Sequence, residues 1–326
     1  MPLSGRLGAA ILALALPACP PASVPQRTVV SREPARGAGV VRNGVEDLHV
    51  EPDETSEVAT QAVLGTAVEL RESATSSTGR TFFRVRTPDR YEAWIAAAAV
   101  RPVGVGEPAY ARGAGASQTV EVTSPLVHVY PHASYTRAAP LSTLTMGTRV
   151  ESLEIVASPE HRFFRVRFPD DAIGYLGVEE GAEVDPIAPP SRGVPADWIA
   201  LGRRLLETPY LWGGTTPLGF DCSGLTQFLF ARHGVLLPRD AWQQAEDPRF
   251  ENVRIADVAP GDLVFFGDGG KITHVGMWVG DGQVLEATTF GRPCTKITPF
   301  DSPALKPRFL AARRLRDVAS TASTTR

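Results

Sequence analysis

Three side chains in this chain of 326 residues have the chemistry to break an amide bond together: Cys222, His274 and Glu286. Cys222 ends a glycine-rich run, "YLWGGTTPLGFDCSGLTQFLF" (Tyr210 to Phe230), and an apolar helical pattern of Leu225, Phe228 and Leu229 starts right behind it. A sulfur in the first turn of a helix meets free backbone N–H groups and the positive end of the helix dipole, which favour a thiolate. The same N–H groups suit the oxyanion that forms when a carbonyl is attacked. The pattern therefore predicts a nucleophile at Cys222, whereas Cys294 reads as a small buried hydrophobe.

A nucleophile needs a base. "GDLVFF" (Gly261 to Phe266) and "THVGMWVGDGQVLEATT" (Thr273 to Thr289) read as three strands, the last two joined at Gly280-Asp281-Gly282. If those three residues form the loop, Val279 faces Gln283 and Gly276 faces Glu286. His274, Gly276 and Glu286 then share one face, with Glu286 diagonal to His274 and Gly276 leaving the space between them open. A two-residue loop would shift the register by one and send Glu286 to the opposite face. His49, His128, His132, His161 and His233 have no comparable partners and read as surface or structural, as Trp94, Trp198 and Trp278 read as packing. The sequence has no CxxC, HExxH or carboxylate cluster with ligand spacing, so neither metal nor cofactor is expected.

The elements that must hold these residues form an α+β unit over 194–316. "PADWIALGRRLLETPYLWGG" opens it with a helix, Asp197 as N-cap and Trp198, Leu201 and Leu205 on one face. Gly234 after His233 is the stop signal of the helix behind Cys222.

Upstream lies a repeat. "FFRVRTPDRYEAWI" (Phe82 to Ile95) recurs without a gap as "FFRVRFPDDAIGYL" (Phe163 to Leu176). Each copy closes a run of short alternating strands, such as "TAVEL" (Thr66 to Leu70) and "TRVESLEIV" (Thr148 to Val156), so two small all-β units are expected at 38–104 and 118–185. They resemble bacterial SH3-like barrels, with Ala93-Trp94-Ile95 and Gly174-Tyr175-Leu176 as the closing strands. Such barrels bind a wall polymer or act as spacers, and both readings stand for the second copy. "GVGEPAYARGAGASQ" (Gly104 to Gln118) is a linker by composition.

The first nineteen residues, "MPLSGRLGAAILALALPAC", have a basic Arg6, an apolar run too short to span a bilayer and a small residue before Cys19, the layout of a signal peptide. "LPAC" resembles a lipobox, which implies a lipidated Cys19; the other reading is a plain signal peptide with an incidental cysteine. Both imply export, after which Cys222 and Cys294 pair or stay free. Residues 20–37 read as a flexible tether and 317–326 as a disordered tail. A net charge of -3 with no basic run leaves no footprint for nucleic acid, and a lipid at Cys19 would be the sole tie to a membrane.

Tyr210, "DCSG" (Asp221 to Gly224), "LPRD" (Leu237 to Asp240), "GDLVFF" and "HVGMWVGDG", in that order, resemble the NlpC/P60 cysteine peptidases over about 194–316. With the repeats in front, the chain is similar to the multi-domain γ-D-glutamyl-L-diamino acid endopeptidases of that family. The resemblance implies a papain-like catalytic domain acting as a monomer on peptidoglycan stem peptides or free muropeptides. By it, Cys222 is the nucleophile, His274 the base, Glu286 the orienting third member, where many relatives have His, and Tyr210 a helper at the oxyanion. It further assigns Asp221 and Ser223, with Glu57 and Tyr91 of the first barrel, to the free amine of an N-terminal L-Ala. Asp240 and Arg239 suit a charged peptide, and Trp242 stands where relatives have a small polar residue, a ring that narrows the cleft. Two other classes remain open: a catalytically weak wall-binding lipoprotein, and a papain-like acyltransferase or amidase.

Overall fold

The computed structural model describes residues 31–104, 107, 110, 118–184 and 194–316. The expected signal peptide with Cys19, the tether up to residue 30, most of the linker and the tail 317–326 lie outside the described residues.

The first β unit has seven strands: β1 (Ser31–Val41), β2 (Val45–His49), β3 (Val58–Val63), β4 (Ala67–Thr75), β5 (Thr81–Arg86), β6 (Glu92–Ala96) and β7 (Val100–Val103). Their order is β3-β2-β6-β5-β4-β1-β7, all neighbours antiparallel. β1 corrects the expected tether, since residues 31–37 already belong to a strand laid on β4, with Ser31 opposite Thr75. The segment carries Pro34, Gly37 and no alternation of its own; its order comes from backbone pairing with a strand distant in sequence, which local composition does not register.

The second unit contains β8 (Gln118–Val122), β9 (Leu126–Val129), β10 (Ser142–Thr145), β11 (Arg149–Ala157), β12 (Arg162–Arg167), β13 (Ile173–Gly177) and β14 (Gly181–Val184). The sequence repeat is a structural one. Phe82 pairs with Ala96 across β5 and β6, and Phe163 with Gly177 across β12 and β13, the same register moved along the chain. The turn between each pair holds a non-glycine residue in the left-handed region at the equivalent place, Arg90 (φ 69°) and Asp171 (φ 65°).

In the third unit, α1 (Pro195–Arg204), the short pair β15 (Thr215–Thr216) and β16 (Gly219–Phe220), α2 (Cys222–Ala231) and α3 (Ala241–Glu246) precede a six-stranded sheet. That sheet, β17 (Phe250–Val253), β18 (Leu263–Asp268), β19 (Lys271–Gly280), β20 (Gln283–Thr288), β21 (Cys294–Pro299) and β22 (Phe309–Leu315), has the order β17-β22-β18-β19-β20-β21. Asp197 is not the N-cap expected of it. Val194 takes that place, Pro195 begins the helix, and Asp197, three residues in, accepts a hydrogen bond from Val194 N at 2.9 Å.

α2 packs on the sheet through Leu225 and Leu229, buried in one cluster with Leu263, Phe265, Val275 and Leu285. Met146 of the second unit is buried in that same cluster, and Leu64 of the first is buried in the second's core. The three units are thus packed together, which fixes the first unit against the face that carries Cys222.

Candidate active site

Cys222 is the first residue of α2, as the sequence pattern requires, and its thiol is free and half-buried; Cys294 is free and buried. Asp221 caps the helix, accepting from Gly224 N at 2.7 Å. The loop in front is drawn in by Gly213, whose N–H donates to Asp221 Oδ2 at 3.1 Å. Gly213 has φ 76°, and a Cβ there would lie 2.6 Å from Val58 O of the first unit, so this loop can dock only with glycine at that position. Tyr210 lies beside the sulfur. Burial, then the negative charges of Cys222 and Asp221, push its phenol well above the ordinary range, so it stays a hydrogen-bond donor.

His274 reaches Cys222 from β19. Its Nε2 lies 2.5 Å from Glu286 Oε2, which leaves Nδ1 as the nitrogen free to serve Cys222, and both side chains line the same cleft. Burial works against a charged ring here, but the hydrogen bonds and charges of Cys222 and Glu286 outweigh it and raise the pKa to about 10. The imidazole is therefore protonated at neutral pH. Glu286, 1% exposed, is held in turn by Thr298 Oγ1, which donates to Oε1 at 2.6 Å. Thr298 was not singled out from the sequence. Its only signal is the β20–β21 register, which sets Val284 opposite Thr298 and Glu286 opposite Lys296, and so brings Thr298 to the diagonal of Glu286.

The hairpin reaches this geometry by a different route from the one expected. Gly280 pairs with Gln283, so the loop is the two-residue Asp281-Gly282, with φ 50° and 67°, as in a type I′ turn. A bulge between Trp278 and Gly280 absorbs the spare residue. Met277 consequently faces Leu285, and Glu286 stays on the side of His274. Nor does Gly276 leave open space: a Cβ there would sit 2.4 Å from Val284 Cγ1 and 3.4 Å from Glu286 Cβ, so its missing side chain is what lets β20 close against β19.

Asp221 and Ser223 face inward to a partner that the sequence did not single out as buried. Arg239, 1% exposed, pairs with Asp221 through Nη2 to Oδ2 and through Nη1 to Oδ1 at 3.1 Å. Its Nη1 also donates to Ser223 Oγ at 2.9 Å, and its Nε to Thr60 Oγ1 of the first unit at 3.0 Å. Burial disfavours the guanidinium charge, and Asp221 more than restores it. Ser223 Oγ and Gly224 N both donate to Asp221 Oδ1, so the lone pairs of the carboxylate are taken. Replacing Asp221 by Ala strands this buried charge and lowers stability by about 3–5 kcal/mol, read as a fall in the urea midpoint. A double variant Asp221→Ala with Arg239→Met recovers much of that loss.

Around these residues runs a cleft of about 710 Å³. Glu57, Tyr91, Tyr210, Asp221, Cys222, Ser223, Asp240, Trp242 and His274 all line it, and Glu286 lies buried behind His274. The first unit supplies Val50, Glu57, Val58, Ala59 and Tyr91 to the wall of the cleft. There Glu57 accepts from Trp212 Nε1 at 2.8 Å, and outside the cleft the first unit is also held by Gln61, which accepts from Thr215 N at 3.1 Å, and by Asp89, which accepts from Gln227 Nε2 at 2.8 Å. In the cleft, burial pushes both the Asp240 carboxyl and the Tyr91 phenol up. Trp242 stands half-exposed at the start of α3, at the rim.

The profile of the NlpC/P60 family matches residues 207–314, which contain the loop, α2 and the whole Cys-His-Glu cluster. Residues 207–314 form an NlpC/P60 domain. Two curated relatives bear the name γ-D-glutamyl-L-lysine dipeptidyl-peptidase. The protein of Bacillus cereus is 36% identical over 121 residues, 36% of this chain and 35% of that protein. The protein of Bacillus subtilis is 40% identical over 110 residues, 33% of this chain and 36% of that protein. The matches thus span about a third of the length of these relatives and concern the NlpC/P60 domain. Over the wider chain, the crystal structure of an NlpC/P60 family protein from Bacillus cereus superposes with a TM-score of 0.70 at 23% identity, covering 86% of this chain and 99% of that one. At that identity the likeness is one of fold, and it extends to the β units in front of the NlpC/P60 domain.

Proposed function

We propose that this chain is a cysteine endopeptidase that hydrolyses the bond between γ-D-Glu and the diamino acid of peptidoglycan stem peptides. The observation that carries the reading is the hydrogen-bonded line His274–Glu286–Thr298 beside Cys222 at a helix start, in a cleft walled in part by the first unit. The names of the two Bacillus relatives support the choice of bond. The Cys222 thiolate attacks the γ-carbonyl carbon, and the oxyanion is held by N–H groups at the start of α2 and by the Tyr210 hydroxyl. The His274 imidazolium gives its proton to the departing amine, leaving a thioester and a neutral imidazole. That imidazole then takes a proton from water as its oxygen attacks the thioester, and the acid product and thiolate–imidazolium pair result.

The end of the cleft at the first unit, read as closed, suits a free ammonium. Because the acceptors of Asp221 are already filled, the amine of an N-terminal L-Ala falls to Asp240 and Glu57, with Tyr91 beside them. Asp221 and Ser223 then serve by holding Arg239 and the helix start in place. The substrate is a released peptide, because in intact peptidoglycan the L-Ala nitrogen is an amide. The two β units, read as SH3-like barrels, close the cleft in one case and serve as spacer or wall contact in the other. The protein works outside the cytoplasm as a monomer, exported and tethered by a lipid on Cys19.

The test offers L-Ala-γ-D-Glu-diamino acid peptides with a free or an N-acetylated alanine and reads products by mass spectrometry. The free peptide is cut, and kcat/KM for the acetylated one is lower by at least about 100-fold, since buried acceptors left unpaired and steric closure add together. Equal cleavage of both, or efficient digestion of whole sacculi, would refute the closed-end reading.

A further inference from the structure

Two groups of residues can be told apart at the cleft, one around Cys222 and one around His274. Cys222 belongs to the first through Asp221, Arg239 and Thr60, together with Glu57 and Trp212. His274 belongs to the second, where its chain neighbour Thr273 accepts a hydrogen bond from Arg308 Nη2 at 3.3 Å. The Cys222–His274 contact is the seam between them. A peptide with its amine at the Glu57 end lays its acyl part over the first group. Its departing amine must face His274, which protonates it, so the leaving residue lies over the second group.

That second group carries one cation besides His274. Arg308 lines the cleft, and its side chain is 40% exposed. Its bonds to described residues all leave from Nη2, one to Thr273 and one at 3.0 Å to Asp268, a carboxylate 76% exposed. An ion pair so open to water is weak and easily exchanged. Nη1 and Nε remain without a partner among the described residues; each forms an edge of the guanidinium with Nη2, so a carboxylate binds at such an edge by taking the place of the open Asp268 pair at Nη2. The only other arginine in the lining, Arg239, is buried and neutralised by Asp221.

Resting on the proposed function, we infer that Arg308 is a specificity residue for the leaving side: it binds the carboxylate of the diamino acid released by cleavage. The cleft then matches a short zwitterion, with acidic groups for the amine at one end and a guanidinium for the carboxylate at the other. A peptide whose diamino acid is amidated, or extended by a further residue, offers no carboxylate at that place and is a poorer substrate.

Three substrates sharing one acyl part decide the matter: L-Ala-γ-D-Glu-L-Lys, the same peptide as its lysinamide, and L-Ala-γ-D-Glu p-nitroanilide. The wild-type chain prefers the free acid over the lysinamide by about tenfold in kcat/KM, the size of one partly exposed charge-assisted contact. Arg308→Ala removes that preference, chiefly through a higher KM for the free acid, and leaves the lysinamide and the anilide within about twofold. Arg308→Lys keeps part of the preference, having the charge without the fork. An equal fall on all three substrates, or an undiminished preference in Arg308→Ala, would overturn the assignment. A wild-type chain that cuts none of the three overturns the endopeptidase reading itself, and this inference with it.

Discussion

Cys222→Ala yields a folded protein with no measurable peptide hydrolysis. The change deletes one half-buried sulfur atom at the first position of α2 and leaves the cap formed by Asp221 and Gly224 untouched. Its cost to stability is therefore below about 1.5 kcal/mol. Its cost to chemistry is the whole covalent route, because neither the oxyanion donors nor His274 forms a bond to carbon. Digests of L-Ala-γ-D-Glu-diamino acid peptides followed by mass spectrometry, run beside thermal unfolding of the same preparation, separate the two effects. Turnover that persists in a variant with a wild-type melting curve would place the nucleophile elsewhere.

The second large effect belongs to Glu286. Glu286→Ala lowers kcat on the order of 10³-fold with KM changed only a few-fold, since the orientation and charge of the imidazole matter most in the transition state. Glu286→His retains more activity than Glu286→Ala, because a second imidazole still accepts from the first. Glu286→Gln is the cleaner probe of charge, as it keeps the volume and an acceptor for Thr298. The pH dependence carries the signature of the pair. With its pKa raised from 6.5 to about 10, His274 stays protonated through neutral pH, so kcat/KM of the wild type falls on the alkaline side with a midpoint near pH 10. In Glu286→Gln one of the two partners that hold the proton has lost its charge, and the limb moves to lower pH. The same linkage acts on folding: the stability from this raised pKa is complete below pH 6.5 and is lost as pH rises through about 10. An alkaline limb that does not move in Glu286→Gln would separate Glu286 from the titrating imidazole.

Local pattern carried the sequence a long way. The start of α2 at Cys222, the repeat of β5–β6 as β12–β13 and the strands around His274 are all short-range features, each set by side-chain periodicity and turn chemistry within a few residues. The placing of Glu286 beside His274 was reached with the right partner and the wrong turn. The three-residue loop and the two-residue turn with a bulge give Glu286 the same face, and residue types around Asp281-Gly282 suit both. Pro34 and Gly37 misled in the other direction, because their strand exists only through its pairing with β4.

What the sequence by itself determined was the place of Cys222 at a helix start, the strands that carry His274 and Glu286, and the repeated β units, since these follow from neighbours along the chain. What only the tertiary structure decided was how the polar atoms are shared out. Arg239 lies 18 residues from Asp221 and 179 from Thr60, and nothing in "LPRD" says that its guanidinium is buried between them. The same holds for Thr298 behind Glu286, for Trp212 against Glu57 and for Arg308 beside Thr273. A hydrogen bond depends on a few tenths of an ångström between groups brought together by packing, and burial decides which of a carboxylate's lone pairs are left for a substrate. Those quantities arise when segments distant along the chain pack together, within the third unit for Thr298 and Arg308 and between units for Thr60 and Glu57, so a pattern read along the chain contains the reactive atoms but not their partners.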